Sequence, residues 1–185
     1  MDKLIIKGNS KISGSVNIHG SKNSALPIIV SSLLSENTLK LSNVPNVVDV
    51  SNLIKLLKNY GVKIEYKKDK LKINPKRIKN LSADYDVVRK MRASILILGP
   101  LLSRFGYCKI SLPGGCAIGT RPINIHLDGL AKLGASFTNE NGFIIGNVNK
   151  KLKGNKIKLS FPSVGATENI LMASVLAEGE TLIDQ

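Results

Sequence analysis

The sequence predicts an α/β protein assembled from repeated strand and helix units, and three observations carry that prediction. A short strand, a small polar turn, an apolar helix, a polar turn and a second strand recur in that order along the chain. Between the recurrences lie two amphipathic helices, each stopping at a glycine before a two-stranded ribbon. A hydrophobic fraction of 43%, with slightly positive mean hydropathy, suits a chain that buries a core.

The first unit predicts a strand over 14–20, a helix over 25–34, an acidic turn at Ser35-Glu36-Asn37 and a strand over 38–41. A second kind of unit follows: a helix over 50–60 with apolar Leu53, Ile54, Leu56 and Leu57, a stop at Gly61, and strands over 62–66 and 71–73. The first kind returns as a helix over 93–102, a turn at Arg104-Phe105-Gly106 and a strand over 107–112. The second kind returns as a helix over 127–133, a stop at Gly134, and strands over 135–137 and 143–145. The last unit reads as a strand over 156–161, a turn over 162–165, a helix over 166–177, an acidic turn at Glu178-Gly179-Glu180 and a strand over 181–183. Each unit needs its neighbours to bury an apolar face, so a chain that stops at Gln185 directly after a strand reads as cut short.

Charge and composition narrow the function classes. Twenty-seven Lys+Arg against thirteen Asp+Glu give a formal charge of +14. The lysines are scattered through strand-like segments and aromatics are only 4%, so the stacking platforms of a single-strand nucleic-acid binder are missing. The excess reads as solvated surface that also attracts small polyanions. No stretch approaches the roughly 18 uninterrupted apolar residues of a membrane span, and Met1-Asp2-Lys3-Leu4-Ile5-Ile6-Lys7-Gly8 lacks the order of a signal peptide. A cytoplasmic protein engaging neither membrane nor nucleic acid is the expectation. Two cysteines without a CxxC spacing, and two histidines, supply neither a metal site nor a disulfide framework.

One loop stands out chemically. Ser111-Leu112-Pro113-Gly114-Gly115-Cys116-Ala117-Ile118-Gly119-Thr120-Arg121-Pro122 sets a thiol among three glycines and five residues from an arginine. Glycines let backbone amides approach a ligand, and a guanidinium favours thiolate over thiol. The same residues also describe a tight Pro-Gly-Gly turn with a small filler side chain. Cys108, within a strand-like run, reads as a structural thiol.

That loop, together with Gly20-Ser21-Lys22-Asn23-Ser24-Ala25-Leu26-Pro27, Met91-Arg92-Ala93-Ser94 and Ser163-Val164-Gly165-Ala166-Thr167, resembles the UDP-N-acetylglucosamine enolpyruvyl transferases of the EPSP synthase superfamily. The four motifs occur in the family's order. The resemblance covers the whole chain but only the N-terminal part of the family pattern. It implies an inside-out α/β barrel made of βαβαββ units, here truncated. Residues 1–20 would be a strand belonging with the other domain, and 21–185 a cysteine-bearing domain of three repeats, the last incomplete; the C-terminal half is absent.

By the same resemblance, the reaction moves the enolpyruvyl group of phosphoenolpyruvate to the 3′-hydroxyl of UDP-N-acetylglucosamine with release of phosphate, the first committed step of peptidoglycan synthesis. No cofactor or metal is implied. Lys22 would pair with phosphoenolpyruvate, a role that an ammonium at a helix start suits, and Asn23 would contact the sugar nucleotide. Arg92 and Arg121 would complete an electropositive site. Cys116 would act as general acid toward the C-3 methylene and be the point of fosfomycin alkylation. Pro122, Ile123, Asn124 and Ile125, with Ser163, Val164 and Gly165, would line the nucleotide, and His126 would support the loop. Read alone, Lys22 is an exposed turn lysine and Arg92 a surface helix arginine.

Two departures are visible. Asn124 stands where many relatives have aspartate and Phe161 where they often have a basic residue, which implies weaker nucleotide binding. A proposed aspartate base and a further arginine would come from the absent half, so the chain alone is expected to be inactive or nearly so, with a C-terminal half chain as its partner. The shikimate-pathway enolpyruvyl transferases share the chemistry but lack the Pro-Gly-Gly-Cys loop. A non-enzymatic basic binding module, or a degenerate half-gene product that keeps the fold, is the alternative reading.

Overall fold

The computed structural model describes residues 3–9, 11–83, 88, 92–111 and 123–184, with only the backbone at Ala83 and Arg92. Cys116, Arg121 and Pro122 therefore lie outside the described residues, as does the rest of the segment 112–122.

Helices rich in aliphatic side chains form the centre. Helix α1 (Lys22–Ser31) buries Ala25, Leu26, Ile29 and Val30, and runs on into a 3₁₀ turn at Ser32–Leu34. Helix α2 (Val48–Asn59) buries Val50, Leu53, Ile54, Leu56 and Leu57, the apolar stripe legible in its sequence. A 3₁₀ helix at Arg92–Ile97 leads into α3 (Leu98–Phe105); α4 (Asn124–Lys132) and α5 (Val164–Ser174) complete the set. Helix α5 packs against α3 and α4, and α1 against α2, so that their buried faces join one hydrophobic core.

The glycine stops predicted for α2 and α4 are present and explain how each helix turns into its ribbon. Gly61 (φ +91°) and Gly134 (φ +103°) occupy the left-handed region. After α2, the Gly61 N–H donates to the Lys58 carbonyl at 2.9 Å and the Val62 N–H to the Leu57 carbonyl at 3.1 Å, closing a Schellman motif. A β-carbon at Gly61 or Gly134 would oppose that conformation.

The strands form three separate sheets among the described residues, and no closed barrel. Strands β1 (Leu39–Leu41), β2 (Lys63–Lys67) and β3 (Lys70–Asn74) are ordered β1-β3-β2 and antiparallel. Strands β4 (Ser82–Ala83), β5 (Tyr107–Ser111), β6 (Ala135–Glu140) and β7 (Phe143–Val148) are ordered β4-β5-β7-β6, with only the β4–β5 pair parallel. Strands β8 (Lys156–Lys158) and β9 (Leu182–Asp184) pair in parallel across α5. The β6–β7 turn is Asn141-Gly142, both at positive φ (51° and 78°), as the two-residue hairpin demands.

Three expectations need correction. The described part of 3–20 forms no strand and pairs with none; Leu4, Ile6, Ile12, Val16 and Ile18 are all more than three-quarters exposed. Alternation gives a strand two faces but does not supply the neighbour that completes its hydrogen bonds. The helices start earlier than apolar content suggests, at Lys22, Asn124 and Val164, with N-caps at Ser21, Ile123 and Ser163, of which Ser163 alone caps through its side chain. Finally, the single helix expected over 93–102 is divided at Ile97/Leu98. Two features meet at the break: Pro100 has no N–H for the Leu96 carbonyl and its ring crowds it, and Asn169 of α5 inserts its amide, Oδ1 accepting from the Gly99 N–H at 2.7 Å and Nδ2 donating to the Ile95 carbonyl at 3.1 Å. Ile95 and Gly99 are four apart, the pair an unbroken α-helix would bond directly.

Arg104 ties the repeats together. From the end of α3, its Nη1 donates to the carbonyls of Leu33 (2.9 Å), Ser35 (3.0 Å) and Pro75 (3.4 Å), capping the end of the α1 segment, and the guanidinium lies 4.7 Å from the Phe105 ring centroid. Arg104→Ala leaves these carbonyls without that donor and should cost about 2–3 kcal/mol. Chemical denaturation checks this, and an unchanged midpoint would refute it.

Candidate functional site

Every described residue named as a candidate sits at or beside the start of a helix. Lys22 and Asn23 are the first two residues of α1, Arg92 opens the 3₁₀ helix, Asn124 and Ile125 begin α4 directly after Ile123, and Val164 and Gly165 begin α5. Helix starts present amides with no intrahelical acceptor and the positive end of the backbone dipole, so groups gathered there favour anions.

At α1 the chain is pinned from outside. The Gly20 N–H donates to Asn43 Oδ1 at 3.1 Å, and a side chain on Gly20 would strike the Asn43 carbonyl. The Ser21 side chain makes no capping bond to the helix. Lys22 Nζ meets Asp49 Oδ2 at 2.8 Å with both side chains part-exposed, at 49% and 34%. A pair so open to water contributes under about 1 kcal/mol, so an arriving phosphate or carboxylate can take the ammonium from Asp49 at little cost. Sequence reasoning missed Asp49; the signal was its place as the sole acid between Glu36 and Glu65, in the first turn of α2.

At α5, Ser163 is the N-cap rather than part of a turn. Its Oγ accepts from the Ala166 N–H at 3.3 Å while Thr167 Oγ1 donates to the Ser163 carbonyl at 2.9 Å. Ser163→Ala should destabilise the chain by about 1 kcal/mol, read as a lowered midpoint in urea; no change would mean the cap is redundant. Phe161 and Val164 stand out into solvent, 67% and 76% exposed.

The starts of α4 and α5 meet at His126. A β-carbon placed on Gly165 would lie 3.4 Å from His126 Cε1 and 3.7 Å from Nε2, so any side chain there would touch the ring. The ring is buried and its Nδ1 is 3.2 Å from Asn169 Nδ2, as a supporting role requires. Beside Ile125, a cleft of about 630 Å³ opens between α4 and the β8 segment, lined by Asp128, Gly129, Lys132, Lys158 and Ser160 among others; Lys132 Nζ spans it to the Lys158 carbonyl at 3.0 Å. A hollow of about 560 Å³ on the lysine-rich β1-β3-β2 sheet is lined by none of the candidate residues.

The two thiols differ. Cys108 is fully buried opposite Gly146 in the β5–β7 pair, and burial drives its thiol far above the ordinary range. It is a packing residue, as its strand setting suggested. Among the described residues no helix is long and apolar enough to cross a membrane, and no three His, Cys, Asp or Glu side chains gather as metal ligands.

Repeated strand-helix units define an α/β protein, and comparison with solved structures shows that its fold is that of the enolpyruvyl transferases. The enolpyruvyl transferase NikO from Streptomyces tendae superposes with a TM-score of 0.79 at 18% identity, over 95% of this chain and 42% of that one. EPSP synthase from Acinetobacter baumannii does so at 0.75 and 23%, over 95% and 41%. Residues 6–185 match the EPSP synthase (3-phosphoshikimate 1-carboxyvinyltransferase) family, and the chain belongs to it. Among curated relatives, the UDP-N-acetylglucosamine 1-carboxyvinyltransferase of Campylobacter hominis is 52% identical over 184 residues, 99% of this chain and 44% of that protein. Its namesake in Nitratidesulfovibrio vulgaris strain DP4 is 50% identical, again over 44% of its length. The chain thus spans less than half the length of these relatives.

Proposed function

We propose that this chain is the N-terminal, cysteine-bearing part of a UDP-N-acetylglucosamine enolpyruvyl transferase acting in the cytoplasm on peptidoglycan precursors. The observation that carries the reading is the 52% identity to the Campylobacter hominis enzyme over 184 residues. The placement of Lys22, Asn23, Arg92, Ile123, Asn124, Ile125, Ser163, Val164 and Gly165 at helix starts supports it, because phosphoenolpyruvate and a sugar diphosphate are both anions. Lys22 and the guanidinium groups of Arg92 and Arg121 hold phosphoenolpyruvate. Pro122 to Ile125 and Ser163 to Gly165 hold the nucleotide, with Asn23 on the sugar.

In the reaction the Cys116 thiol gives its proton to C-3 of phosphoenolpyruvate while the sugar 3′-oxygen bonds to C-2. The hydroxyl proton passes to a base, phosphate leaves with the C–O bonding pair, and a proton returned from C-3 restores the double bond. The base and a further arginine belong to the second half, so this chain binds but does not turn over. Residues 1–20 lie against that half. Their exposed Leu4, Ile6, Val16 and Ile18, with Leu171 on α5 and Val175 just after it at 58% and 63% exposure, support a further packing layer.

The test is phosphate release from phosphoenolpyruvate by the purified chain, with and without UDP-N-acetylglucosamine, beside calorimetric binding of the nucleotide. Saturable binding without release is expected. Release dependent on the nucleotide and on Cys116 would show that the second half is dispensable, and absence of binding would overturn the reading. Binding of DNA or RNA with a steep salt dependence would favour the basic-module alternative.

A further inference from the structure

The side chain of Asn169 is fully buried in α5, and its polar atoms reach three other segments at once. Oδ1 takes the Gly99 N–H of α3 at 2.7 Å; one Nδ2 hydrogen goes to the Ile95 carbonyl in the 3₁₀ helix at 3.1 Å and the other to His126 Nδ1 in α4 at 3.2 Å. A backbone N–H can only donate and a backbone carbonyl only accept, so the amide has one possible orientation. Nδ2 therefore faces the imidazole as a donor. His126 Nδ1 must accept, which leaves the ring proton on Nε2, the atom beside Gly165. The wedge is steric as well as polar: Gly99 and, in α4, Gly129 lack the side chains that would collide with Asn169 and Ile170.

Three of the four segments that this amide joins carry candidate ligands: Arg92 opens the 3₁₀ helix, Ile123 to Ile125 lead into His126, and Ser163 to Gly165 begin the helix that holds Asn169 itself. We propose that Asn169 is a positioning residue of the nucleotide-sugar site, fixing the register of these three helix starts and holding His126 in the Nε2–H tautomer. The site role rests on the function proposed above; the tautomer does not.

Asn169→Asp tests both in the 185-residue chain. The carboxylate keeps the shape and can still accept from Gly99, but it sets an acceptor against the Ile95 carbonyl and requires a proton on His126 Nδ1. Nitrogen-15 spectra of the imidazole in the unsubstituted chain should show an unprotonated Nδ1, and a protonated Nδ1 there overturns the proposal even if no variant folds. In Asn169→Asp the proton should move to Nδ1, the amide resonances of Ile123 to His126 should shift, and calorimetric affinity for UDP-N-acetylglucosamine should fall by about tenfold or more. Unchanged affinity in a folded variant overturns the positioning role. If the unsubstituted chain binds no nucleotide, the function reading fails, and the register claim is judged on the tautomer and the amide shifts: an Asn169→Asp chain that moves neither overturns it.

Discussion

Gly99→Ala should lower stability by about 3 kcal/mol, which for a chain of this size lowers Tm by roughly 6–12 °C. A β-carbon at residue 99 would overlap the backbone carbonyl of Asn169, approach its Oδ1 to 2.6 Å and come within 3.3 Å of the Ala173 amide nitrogen. Two helices of the core would have to separate, and the 2.7 Å bond from the Gly99 N–H would lengthen with them. Alanine's better helix propensity returns at most about 1 kcal/mol, so the packing loss wins. Truncating Asn169 as well should not restore stability, since the nearest obstacle is main chain. Thermal melts of the single and double variants check this, and a Tm within 2 °C of the unsubstituted chain, about the effect of 1 kcal/mol, would show that α3 and α5 can slide apart freely.

That contact also shows where sequence reading stopped. Alternation and glycine stops made the ribbons legible: the expected strands over 62–66 and 71–73 became β2 and β3, and Gly61 and Gly134 end their helices with positive φ. These signals are local, carried by residues whose conformation their own chemistry restricts. Asn169 is the opposite case. In Ala166-Thr167-Glu168-Asn169-Ile170-Leu171 nothing in the sequence says that the amide points inward, or that its partners lie 70 and 74 residues away. Gly99-Pro100 is a local sign that a helix over 93–102 would not run unbroken, but the distant side chain that occupies the break has no local sign at all.

The candidate site was legible to a different depth. The resemblance to the enolpyruvyl transferases drew attention to Lys22, Asn23 and the Ser163 stretch, which read alone are an exposed turn lysine and a turn, and the structure sets these residues at helix starts. Asp49, which holds Lys22 at 2.8 Å, comes from another repeat unit and was invisible to any motif. The Pro-Gly-Gly-Cys loop carries the clearest chemical signal in the sequence, and its residues 112–122 lie outside those the structure describes.

The thiols supply the second large effect. With phosphoenolpyruvate, UDP-N-acetylglucosamine and the C-terminal part of the Campylobacter hominis relative supplied, Cys116→Ala should reduce phosphate release by about 10²–10⁴-fold, the range for loss of a positioned proton donor. Cys108→Ala should leave the rate of folded protein unchanged, because that thiol is enclosed in the β5–β7 pair and burial holds it protonated. The same contrast governs alkylation: mass spectrometry after fosfomycin should find one adduct, on Cys116, since an epoxide is opened by thiolate and a buried thiol supplies none. Labelling of Cys108 at an equal rate would mean that β5 opens to solvent more readily than a fully buried strand should. A Cys116→Ala assembly with full activity would move the proton-donating role to another group and leave Cys116 with the turn alone.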